Sequence, residues 1–155
     1  MRSLIILFLC LFLCLPGLAK PTRAQAEQAI SAYFANPLAG FPNPHLATIV
    51  QFASESDKVQ VTLDPVVVPW TSESKQDYGL VGAFMAGNVE AQLLAGRAAD
   101  QPEAGLARAF AVYDQIRQAH PEFRSPGLEK LRALASQGKL ADYIRIQRAT
   151  RKAND

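Results

Sequence analysis

Beyond residue 14 the chain contains no cysteine. Its two cysteines, Cys10 and Cys14, both lie in the opening stretch "MRSLIILFLCLFLCLPGLAK". That stretch has one basic residue, Arg2, then an apolar run from Leu4 to Leu15. Pro16 breaks the run, and the small residues Gly17 and Ala19 come next. This three-part order predicts a secretory signal over residues 1–19, with cleavage after Ala19 or, as the second choice, after Ala26. The run is shorter than the roughly 17–25 residues that a bilayer span needs. A lipoprotein anchor on Cys10 or Cys14 is set aside, because Leu9 and Leu13 stand where a small residue is required. The mature chain of 136 residues (155 less 19) then has no disulfide, no thiol nucleophile and no cysteine ligand for a metal. An exported domain of that size without disulfides must rest on its own core. It is long enough to bury roughly two-thirds of its unfolded surface. Export without cysteine points to the periplasm or extracellular space of a bacterium rather than to a small disulfide scaffold.

Other absences narrow the chemistry. The two histidines, His45 and His120, each sit beside a proline, and no HExxH or comparable ligand spacing is present, so no metal is expected. No serine lies in a GxSxG context and there is no glycine-rich phosphate loop. No cofactor is expected. The acids Asp57, Asp64, Glu73 and Asp77 are the remaining material for catalysis. Two of them in a cleft, with His45 nearby, could support a small hydrolase.

Charge is uneven along the chain. Residues 27–96 carry two basic residues against seven acids, and residues 97–155 carry eleven against seven. The split lets the two halves face each other within one molecule, steer a charged partner, or join two copies head to tail.

Patterning predicts an α+β fold in a single domain, residues 20–155. Thr22 and Gln25 form a capping box for a first helix with Ala29, Ile30, Tyr33 and Phe34 on one stripe, ended by Asn36-Pro37. The three prolines of "PLAGFPNPHL" read as a stiff loop. Residues 46–70 read as the β-rich part. "LATIVQF" (46–52) and "KVQVTLD" (58–64) form an antiparallel hairpin around "ASESD", and "VVVPW" (66–70) supplies a third, edge strand. Val59, Val61 and Leu63 would face the core. A bundle of about four helices comes after it, at 77–97, 103–119, 126–136 and 139–151. Asp100 and Glu103 would form a second capping box, Ser125 an N-cap before Pro126, and Gly138 the break between the last two helices.

Ala109, Tyr113, Ile116 and Pro121 fall at the spacing of the second helix of a tetratricopeptide repeat, which that helix resembles. The first-helix pattern is absent, since Gly96 and Arg97 stand where the repeat has Leu and Gly, and no 34-residue recurrence exists. The likeness implies helix-hairpin packing and no family.

Two groups of residues are candidates for binding. In helix 77–97, Asn88 and Gln92 fall one turn apart on the bulky face, beside Met85 and Val81. They either bond each other and nearby backbone, or line a small pocket with Trp70 or Tyr78. The opposite face, Gly79, Ala83 and Ala86, is small enough for a neighbouring helix to approach closely, with Glu90 and Arg97 at the rim. In the last helix, Arg145, Arg148 and Lys152 repeat at three and four residues and form a basic stripe suited to an anionic lipid or lipopolysaccharide surface. Nucleic acid is disfavoured for an exported chain. Taken together, the sequence predicts a non-enzymatic module that binds another envelope or secreted protein, with the hydrolase and the anionic-surface binder as alternatives.

Overall fold

A computed structural model of the chain describes residues 20–39, 43–73 and 79–154. Residues 1–19, where a signal is expected, the acid Asp77, the pocket residue Tyr78 and the side chain of the acid Glu73 lie outside the described residues. The described residues form an all-helical fold: α1 (Arg23–Ala35), α2 (Pro44–Glu55), a single turn α3 (Trp70–Glu73), α4 (Leu80–Ala95), α5 (Pro102–Ala119), α6 (Pro126–Ser136) and α7 (Leu140–Asn154). They contain no strand. The expected α+β class, with its hairpin and edge strand over 46–70, is therefore corrected.

The first correction lies at α2. Its β-branched Thr48, Ile49 and Val50 suggested a strand, but β-branching opposes a helix by only tenths of a kcal/mol per residue. Against that small bias stand two start signals in "NPH". The Asn43 side chain accepts from the amides of His45 and Leu46, and Pro44 occupies the first turn. Ile49 and Phe52 are buried, with Leu46 and Ala53 packed beside them, at helical spacing. What read as a loop followed by a strand is a cap followed by a helix.

The second correction is subtler. Residues 58–64 alternate and lie in no helix, yet no strand pairs with them among the described residues. Val59 is buried and Val61 partly so, whereas Leu63 is 47% exposed. Valines 66, 67 and 68 are all buried. They sit in a turn because Asp64 Oδ1 accepts from the amides of Val66 and Val67, while its carbonyl accepts from those of Val67 and Val68.

Helix α4 is the centre. It is buried on nearly every side, with α1 and α2 against one flank and α5 against the other, the most extensive helix contact among the described residues. Glycine makes that contact possible. A Cβ on Gly105 of α5 would lie 2.7 Å from the Phe84 carbonyl oxygen of α4, and one on Gly87 would lie 2.9 Å from that of Ala104. The remaining boundaries obey local rules. Thr22 and Gln25 form the capping box, Ser125 caps α6, and Gly96 (φ 65°) and Gly138 (φ 68°) end α4 and α6 in the left-handed conformation that glycine adopts without strain. The second capping box does not form. Gln101 is the N-cap of α5 and makes no side-chain cap bond; Asp100 is turned elsewhere.

Helices α5 and α6 are clamped by Tyr113. Its hydroxyl donates to Glu129 at 2.6 Å and accepts from the Ser125 amide at 3.2 Å. Burial first, and the bond to Glu129 second, raise the Tyr113 phenol above its ordinary value.

Candidate functional site

Two regions draw polar side chains inward, and they differ in kind. The first is a polar hub on α4. Asn88 and Gln92 are both fully buried. Gln92 Nε2 donates to Asn88 Oδ1 at 2.7 Å and to the Gln60 carbonyl at 2.8 Å. Its Oε1 accepts from the amides of Gln60 at 2.8 Å and Ala99 at 3.0 Å. Gln92 thus makes all four bonds its amide offers. By pairing with both backbone groups of Gln60, it takes the place that a neighbouring strand would have filled. Asn88 Nδ2 donates to Asp100 at 2.7 Å, and its Oδ1 also accepts from the Gln101 amide. Asp100 accepts from the Thr62 amide as well. The hub fastens segment 58–64 and loop 97–101 to α4.

Arg148 of α7 closes the hub from outside. Its Nε donates to Asp64 and its Nη1 to Asp100, each at 2.8 Å. The expected basic stripe is therefore divided. Arg148 is partly buried in an ion-pair network, Arg145 is exposed and paired with Asp142 one turn away, and Lys152 is exposed. The uneven charge along the chain is used within the molecule, in Asp64–Arg148 and in Glu90–Arg108.

Trp70 is 1% exposed and fills the core. It forms no platform with Asn88 or Gln92 at an open surface. Of the residues named for a hydrolase, His45, Asp57 and Asp64 do not converge. His45 lines a shallow polar groove of about 380 Å³ with Gln25, Gln28 and Gln51. Asp57 borders a different depression with Lys20 and Glu55. Asp64 is committed to Arg148 and to the turn after it. No group of His, Cys, Asp and Glu among the described residues could hold a metal ion.

The second region is open. Glu27, Ile30, Ser31 and Phe34 of α1 and Glu90, Leu93 and Leu94 of α4 line a groove of about 310 Å³. Each set keeps helical spacing, so the groove runs between two ridges. Arg108 of α5 forms one wall. Its guanidinium lies 4.4 Å from the centre of the Phe34 ring and makes a two-nitrogen contact with Glu90 at 2.8–3.0 Å. Arg23 pairs with Glu27 and donates to the Leu93 carbonyl at the end of α4. Both carboxylates at the rim are thus compensated. Leu94 stands at the mouth, 81% exposed, the most exposed of the large apolar side chains described. The sequence held one sign of it: Leu93 and Leu94 are adjacent at a helix end, where a single stripe can bury only one of them.

No helix of the described residues is long and apolar enough to cross a membrane. Comparison with family models, with curated proteins and with solved structures finds no match.

Proposed function

We propose that this chain is an exported, non-enzymatic interaction module that takes an apolar helix of a partner protein into the groove between α1 and α4. The observation that carries this reading is Leu94, left almost fully exposed above an apolar floor of Ile30, Phe34 and Leu93. Exposed apolar side chains that gather at a groove are a signature of recognition, whereas scattered ones are not. The walls are two helical ridges, and a third helix is the element whose side chains fit between them. The rim favours a protein over an anionic lipid, because its carboxylates are compensated by Arg23 and Arg108, the cations that border it among the described residues. The leader supports an envelope or secreted setting for that partner.

The test places a photo-crosslinking residue at Leu94 and, as a control, at exposed Gln137, in cells that export the chain through its own leader. A discrete protein adduct from position 94, absent from 137, is expected. It should disappear when a charge is placed on the groove floor by Phe34→Glu in a chain that still folds. No adduct from 94, or the same adducts from both positions, overturns the reading.

A further inference from the structure

The terminal helix α7 is held to the body at its start and, further along, by one side chain. Leu140 and Ile144 are buried, whereas residues 149–153 are exposed throughout. Between them stands Arg148. The two carboxylates it bridges come from different segments, and each also fastens backbone. Asp64 holds the amides of Val66 and Val67, and Asp100 holds that of Thr62 together with the Asn88 side chain. One guanidinium therefore bridges two carboxylates at a partly buried position and offsets part of their mutual repulsion. Without it, two like charges would share a site, which disfavours the arrangement that brings them together. The contact that holds the helix down is also the one that lets both segments close on α4.

We propose that Arg148 is a latch through which capture of the terminal helix by an anionic, phosphate-bearing lipid surface is transmitted to the polar hub. Around the latch, Arg145, Arg151 and Lys152 are exposed, and Ile146 is 51% exposed. The end of the helix thus offers cations and one apolar side chain, the combination that settles on anionic lipid. The planar guanidinium fork donates to phosphate as readily as to carboxylate. A surface that gathers the exposed cations offers Arg148 new acceptors in place of Asp64 and Asp100. Linkage makes the effect reciprocal: a surface that prefers the released helix loosens the hub, and a loosened hub binds the surface more tightly.

Hydrogen exchange of the full mature chain tests this at the amides of Gln60, Thr62, Ala99 and Gln101, each of which donates to a hub side chain. Vesicles containing phosphatidylglycerol should accelerate exchange at all four by about tenfold, within the usual range of coupling between sites. Phosphatidylcholine vesicles, or inorganic phosphate at the same phosphorus concentration, should leave them slow. Arg151→Glu with Lys152→Glu should abolish the vesicle effect and leave the latch intact. Arg148→Gln should give fast exchange without vesicles. Arg148→Lys keeps the charge and loses the fork, so it should fall between, and it serves in place of the glutamine variant if that one does not fold. The proposal is overturned by unchanged exchange on phosphatidylglycerol, by equal acceleration with free phosphate, or by wild-type protection in either Arg148 variant.

Discussion

Replacing Gln92 and Asn88 by leucine, singly and together, separates two accounts of the hub. If the amides existed only to satisfy each other, removing both would cost little more than removing one. The bonding pattern gives a different answer. Only one bond of Gln92 goes to the Asn88 side chain; a long one, 3.5 Å, reaches the Asn88 carbonyl, and three go to backbone groups of Gln60 and Ala99. Gln92→Leu therefore strands backbone groups whether or not Asn88 is present. A stranded buried group costs roughly 1–3 kcal/mol, and water can reach Gln60, which lies at the surface. The expected loss is about 3 kcal/mol. Asn88→Leu removes the partner of Asp100 and of the Gln101 amide, for a loss of about 2–3 kcal/mol. The double variant should lose the sum less about 1 kcal/mol, the share of the single bond between the two amides. Urea unfolding followed by the fluorescence of the only tryptophan, buried Trp70, measures all four proteins. A double variant no less stable than the worse single variant would refute the backbone-fastening role. Single losses below about 0.5 kcal/mol, the range of ordinary surface changes, would refute the burial itself.

Gly105→Ala should lower stability by about 1–2 kcal/mol, because the strain of moving the Phe84 backbone exceeds the gain of about 1 kcal/mol in helix propensity. Gly87→Ala should cost a similar amount, since its Cβ would meet the root of the Arg108 side chain (Cγ at 2.5 Å, Cβ at 2.8 Å) and the Ala104 carbonyl at 2.9 Å; thermal unfolding of both checks this. Tyr113→Phe should cost about 1–3 kcal/mol near neutrality by removing the bond to Glu129. Since the phenol is raised in the folded state, its contribution is complete below the ordinary value near 10 and is lost as pH rises through the raised value. The gap between wild type and Tyr113→Phe, measured by urea unfolding against pH, should therefore close above about pH 10. Mass spectrometry of the exported protein should show a chain beginning at Lys20 or Glu27; a mass retaining Cys10 and Cys14 would overturn cleavage of the leader.

Much of the helical frame was legible because its signals are local. Thr22 with Gln25, Ser125 before Pro126, Gly138, and the small residues of α4 each act on their own neighbours, and each does in the structure what its chemistry requires. Where sequence patterning misled, the deciding partner lay far along the chain. In residues 58–64 alternation matched the inward placing of Val59 and Val61, but it could not say that the backbone's partner would be one glutamine 32 residues away. Asp100 looks like a cap in sequence, because nothing nearby reveals that Arg148 and Asn88 will claim its carboxylate first. Likewise the spacing of Arg145, Arg148 and Lys152 defines one helix face, while only the fold turns the middle residue toward Asp64. The sequence by itself determined several helix ends, at Thr22, Ser125 and Gly138, and the largely apolar character of the central helix, since these derive from backbone geometry and composition. Tertiary structure alone decided which polar groups meet, because a buried donor or acceptor is satisfied by whichever partner packing brings within about 3 Å, and sequence distance places no limit on that choice.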